Sequence, residues 1–228
     1  MKNIGDAFSF PFKDPNWLSK FIVGTVFSML SILLIGIPVT YGYCIELLQR
    51  VRNNEPYPLP EWNDIGVKFV VGFKYLMVLL MYNLPILLVV IPMVFMIFAT
   101  VFALGGSDIT GFFVLPYVIV FAALVVPYGL FINLITPVIS IEYARTESIG
   151  DGVKVGTVLS LFKRHWQDVL VATLITIGIG SLAGLGLLIF IIGVFTAAFY
   201  VHLVSFHLYG QLAQTIHGAS APSKPVIL

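Results

Sequence analysis

Charge is scarce in this sequence. Lys and Arg number 12 and Asp and Glu 11 among 228 residues, and this charged share of 10% compares with roughly a quarter in a typical soluble domain. Apolar residues make up 59% and the mean hydropathy is +1.01, which excludes a water-soluble globular domain. No basic block is present, so no nucleic-acid partner is expected. The single cysteine, Cys44, excludes an internal disulfide and a Cys-rich metal site, and reads as a small apolar residue facing another helix. Lys2, Asp6 and Lys13 interrupt the first residues and leave no apolar h-region of a cleavable signal peptide. Acids, bases and nucleophiles able to converge are nearly missing from the apolar runs. No catalytic, cofactor-binding or metal-ligating residue is therefore assigned, and the chain is expected not to be an enzyme.

Long uncharged runs are what the sequence has instead. Between Lys74 and Glu142 the only charge is Asp108, which sits in a Gly105-Gly106-Ser107-Asp108 turn. The flanking runs, 75–104 and 112–141, are about thirty residues each; as helices they reach about 45 Å, more than the roughly 30 Å of hydrocarbon in a bilayer. Pro85 and Pro92 in the first, and Pro116, Pro127 and Pro137 in the second, mark expected kinks. The earlier run, 21–45, is broken at Gly36-Ile37-Pro38, giving a crossing at about 18–35 and a return at about 38–51. Asp14-Pro15 reads as the start of the first crossing, with Asp as cap and Pro at the first helical position. From Val169 to Ser223 there is no charge, and that stretch must fold back. The turn is placed at Gly184–Gly186, between crossings at 169–183 and 187–212; Gly193 is a competing position.

The fold expected is all-α: a polytopic transmembrane bundle of about six crossings, arranged as three helical hairpins with amphipathic interfacial lead-in helices. The lead-ins fall at 1–13, 65–74 and the second half of the polar connection 142–168. Short echoes relate them: Ile4-Gly5-Asp6 before Phe12-Lys13 and Trp17, and Ile149-Gly150-Asp151 before Phe162-Lys163 and Trp166, with Asp64-Ile65-Gly66 and Phe73-Lys74 between. The chain then reads as one membrane domain with repeats at about 1–58, 59–145 and 146–228. Six crossings put Lys2, Lys13, Lys20, Arg50, Arg52, Lys68, Lys74, Arg145, Lys154, Lys163, Arg164 and Lys224 on one side. Basic loops stay inside, so both termini are expected to be cytoplasmic in a multi-pass protein of the cell membrane.

Polar groups within the runs are candidate sites, each beside a plainer reading. Asn83, Asn133, His202 and His207 form the candidate intramembrane polar site, against simple hydrogen bonding between helices. His202 and His207 are five apart, roughly 140° around a helix, and so do not share a metal. Glu46 and Glu142 are inner-face acidic candidates, or ion-pair partners of Arg50 and Arg145 at helical spacing. Trp17, Trp62 and Trp166 are interfacial anchors. Gly180 to Gly184 fits a small-xxx-small helix contact and competes with a turn.

The opening IGDAFSFPFKDPNWL, the loop LPEWND and the late HLYGQ together resemble a family of bacterial and archaeal integral membrane proteins, domain of unknown function 4013. The resemblance implies a prokaryotic cytoplasmic-membrane protein and supplies no activity or functional residues. The helix pattern is more distantly similar to membrane domains attached to some glycerophosphodiester phosphodiesterases, whose catalytic domain has no counterpart here. The function expected is a non-enzymatic scaffold or accessory protein acting through its cytoplasmic-face amphipathic helices. Its partners would be membrane lipids, another membrane protein or further copies of itself. A transporter or channel for a small neutral or hydrophobic solute is the alternative, motivated by Asn83, Asn133 and the kinked central helices.

Overall fold

Helix-breaking residues and apolar length decide the elements. In the computed structural model, which describes residues 4–105, 110–183 and 190–218, every regular element is helical. A short α1 (Asp6–Ser9) and a 3-10 turn lead to α2 (Trp17–Leu30), which ends in a second 3-10 turn (Ser31–Leu33) before α3 (Gly36–Arg52). The Gly36-Pro38 break thus divides the first hairpin where expected. Pro38 sits in the first turn of α3, where its missing N–H leaves one fewer unpaired donor.

Beyond the proline-rich loop come α4 (Ile65–Ala103) and α5 (Thr110–Thr146), both uninterrupted. The expected lead-in at 65–74 is therefore continuous with the following run, and α4 passes through Pro85 and Pro92. Residues 142–146, expected in a polar connection, are the last turn of α5. Next come α6 (Ile149–Gly152), the amphipathic α7 (Val155–Arg164), α8 (Trp166–Ala183) and α9 (Phe190–His217). The turn expected at Gly184–Gly186 lies outside the described residues. Among the described residues three helices are long and apolar enough to cross a membrane, α4, α5 and, within α9, Ile192–His217, or four if the bent pair Asp6–Lys13 and Trp17–Leu33 counts as one span.

Tertiary contact groups Met1–Val78 with Ile135–Leu228 as one unit and Leu79–Leu134 as another. The first unit is built on α9, which packs against α1, α2, α3 and α8. Its core includes Tyr43, Leu47, Ile139, Tyr143, Phe199 and Leu203. The two prongs of the central hairpin meet within it through Tyr75 and Ser140, whose hydroxyls are 2.7 Å apart, and through the Tyr143 hydroxyl, which donates to the Val71 carbonyl. Glycine makes the α3 and α4 backbones touch: a Cβ on Gly42 would lie 1.8 Å from the Lys68 carbonyl, and one on Gly72 1.8 Å from that of Pro38. Gly210 likewise presses α9 onto Val51 of α3. No such contact forms at Gly178 or Gly180, which face open space, so the expected small-residue contact there is not seen. In the second unit, Tyr128 donates its hydroxyl to the Tyr82 carbonyl. Leu88, Phe95, Phe98, Phe102 and Phe112 there are all more than half exposed.

Candidate functional site

Several charged side chains of the first unit are buried at helix ends although apolar neighbours on the same helices are exposed. At the start of α4, Lys68 is only 4% exposed, yet its neighbours Val67, Phe69, Val70 and Phe73 are exposed. Its ammonium lies 2.7 Å from Glu46 Oε2 and donates to the Asn63 carbonyl. Arg50, one turn after Glu46 on α3, donates to Glu46 Oε1 at 2.7 and 3.0 Å. Glu46 thereby clamps two cations from two helices. Gln49 adds a strand to this network, donating to the Ala144 carbonyl and to Glu147 Oε1 at 2.8 Å each. Between these groups lies a cavity of about 530 Å³, lined by Glu46, Gln49, Arg50, Asp64, Lys68 and Glu147 among others.

A second node forms at the start of α2. Lys20 is buried and lies 2.8 Å from Asp14 Oδ2, 2.6 Å from Glu61 Oε1 and 3.0 Å from the Leu59 carbonyl. Asp14 does not cap α2 as expected. Its Oδ1 accepts the Asn16 backbone N–H in a local turn, the helix begins at Trp17 without a side-chain cap, and its other oxygen holds Lys20. Trp62, expected as a free interfacial anchor, is wedged into the bundle: it stacks on Tyr43 at 4.1 Å and Phe27 at 5.0 Å, and its indole N–H donates to the Lys20 carbonyl. The Tyr43 hydroxyl donates to the Pro60 carbonyl. The segments DPNWL and LPEWND, some forty residues apart in sequence, thus build one junction.

The ends of α5 and α9 carry the third group. Glu142 is 2% exposed, 2.7 Å from His217 Nε2 and 3.8 Å from Arg145. Gln214 donates to the Val51 carbonyl and to Asn54. Burial, with the like charge of Arg145, lowers the pKa of the nearby Arg52 guanidinium.

Other expected site residues fall elsewhere. Asn83 donates to the Leu79 carbonyl and Asn133 to that of Gly129, each on its own helix. His202 bonds the Ala198 carbonyl and meets Tyr41 edge-on; His207 stacks on Phe10 at 4.2 Å and faces Gln211. Asn83 and Asn133 belong to one unit and the two histidines to the other. Trp17 packs edge-on against Phe21 and Phe12, and Trp166 is half exposed at the start of α8. Sequence reading missed Lys20, Lys68, Gln49 and Gln214. Their partners lie on other elements, and only the presence of a charged or amide side chain inside or beside an apolar run signalled them. Among the described residues no group of three His, Cys, Asp or Glu could hold a metal ion.

An all-helical chain, with helices of membrane-crossing length and apolarity and with ion pairs collected at helix ends, is the class these features define. It belongs to the family described as "Protein of unknown function (DUF4013)", whose match covers residues 26–198. LPEWND lies inside that match, and the DPNWL and HLYGQ segments lie outside it. No curated protein and no solved structure matches the chain.

Proposed function

We propose that this is a multi-pass protein of a prokaryotic cytoplasmic membrane, with both termini inside, that performs no chemistry of its own. It serves as a scaffold or accessory subunit whose cytoplasmic-face elements hold lipid headgroups and a partner membrane protein. The observation that carries the reading is the set of buried ion pairs at helix ends, centred on Lys20, on Glu46 with Lys68, and on Glu142. These pairs tie helix ends and the loop 53–64 together, and Glu46 and Lys68 line a polar cavity, while exposed side chains on the same helices include many apolar ones. The twelve basic residues gather on the same side in this topology, as cytoplasmic loops require. The transporter reading gains no support from the Asn83 and Asn133 amides, each of which donates to a carbonyl of its own helix.

A photocrosslinking side chain at exposed Asp64, on the cavity rim, tests this in living cells against the same group at exposed Phe95. A discrete protein adduct at Asp64 that weakens on Glu46→Gln is the expected result. Lipid adducts alone at both positions, together with solute flux through the purified protein in liposomes, would overturn it.

A further inference from the structure

The first hairpin is too short for the bilayer that α4 fits. Lys20 to Leu34 is 15 residues, about 21 Å of helix from first to last, and Ile35 to Arg50 is 16, about 23 Å, against roughly 30 Å of hydrocarbon. Both legs start from the buried ion pairs, and both stop short by the same amount. The turn between them has nothing to hold it in water or headgroups. Ile32, Leu33, Leu34 and Ile35 are 71%, 64%, 71% and 62% exposed, and no Trp, Tyr or charged residue accompanies them. The turn between the two long runs, by contrast, contains Ser107 and Asp108.

Part of the short turn's backbone is bonded locally, as hydrocarbon favours. The Ser31 N–H donates to the Ser28 and Met29 carbonyls, the Leu34 N–H to the Ser31 carbonyl, and the Ser31 hydroxyl to that of Phe27. Gly36 sits so close that a Cβ there would lie 2.0 Å from the Phe27 carbonyl oxygen, and Pro38 has no N–H to satisfy. The preceding segment Asp6–Lys13 meets Trp17–Leu33 at 108°, as a chain lying along the interface and then turning inward would.

We infer that the α2–α3 hairpin is re-entrant: it enters and leaves the bilayer through the cytoplasmic leaflet, and residues 32–35 rest against acyl chains. This inference rests on the cytoplasmic placement of the ion pairs proposed above, and it replaces the first two of six crossings with a partial insertion.

Single cysteines at Leu33 and Ile35, in a Cys44→Ala background, test it. Each is labelled with a nitroxide in the full-length protein reconstituted in phosphatidylcholine and phosphatidylglycerol vesicles. The expected result is that collision with dissolved oxygen, which concentrates in hydrocarbon, exceeds collision with a water-soluble nickel chelate by about tenfold at both positions. Preference for the chelate overturns the inference, since the tip is then in water. Shielding from both reagents overturns it too, since protein then covers the tip. Maleimide labelling in cells of Asp108→Cys and Lys163→Cys separates this from the topology beneath it. If Lys163→Cys is reached only from outside, the cytoplasmic placement itself has failed.

Discussion

Lys20 shows how a single residue can tie distant segments together. Its partner Asp14 is as buried as it is, with side chains 5% and 6% exposed, whereas Glu61 is mostly in solvent and contributes little. Removing one member of a buried pair strands the other charge, so Lys20→Met is expected to cost about 3–5 kcal/mol and to lower the unfolding temperature in detergent. Adding Asp14→Asn should recover most of that loss, because the amide keeps an acceptor for the Asn16 N–H. Asp151 gives a milder, pH-dependent case. A hydrogen bond from Lys154, at 2.5 Å, is the main cause that holds its carboxyl below the usual aspartate range. A carboxyl lowered on folding contributes fully above its ordinary pKa and loses that contribution as pH falls through the lowered value. Amide protection at Val153 and Lys154 should therefore decline on acidification, and Lys154→Met should remove the dependence. The sequence did not reveal the role of Lys20, because a buried cation and a solvated one look alike when partners such as Glu61 and the Leu59 carbonyl lie elsewhere in the chain.

Helix pairs obey a different constraint, set by glycine. Gly42→Ala or Gly72→Ala would drive a methyl into the facing helix backbone, which cannot yield as a side chain would; either is expected to cost about 1–3 kcal/mol or more. Gly178→Ala meets nothing and should instead stabilise α8 by up to about 1 kcal/mol, measured by the same unfolding assay. Composition favoured the glycine-rich stretch around Gly180 as a contact, while the glycines that touch backbone are spread singly over α3, α4 and α9. For the α2–α3 hairpin the length decides. A shortfall of about 9 Å at fractions of a kcal/mol per Å makes full crossing by bilayer thinning cost on the order of a few kcal/mol, with no polar tip to repay it. Leu33→Lys would place a charge in hydrocarbon, and its insertion should fall as read by extraction of the protein into carbonate.

At the scale of the molecule, the alternation of apolar runs with basic, proline-marked loops made the helical architecture legible. Expected breaks at 35–38 and 104–112 coincide with observed helix limits because Gly36-Pro38 and Gly105 stop helices for local reasons. Prolines inside α4 and α5 gave no such boundary; the prongs run on through them. The set of ion pairs was only half legible: Glu46 and Glu142 were recognisable with Arg50 and Arg145 one turn away, but Lys68 and His217, their partners from other helices, were not. The proposed topology turns the buried ion pairs at the helix ends toward the cell interior and the exposed apolar surface toward lipid. The most direct measurement fuses a cytoplasm-active fluorescent reporter, or a phosphatase active only outside, to the C-terminus of the complete chain, and inserts the phosphatase at Asp108 in a second version. Fluorescence with an inactive phosphatase at the C-terminus, and an active phosphatase at Asp108, is the predicted result. An active phosphatase at the C-terminus would contradict it.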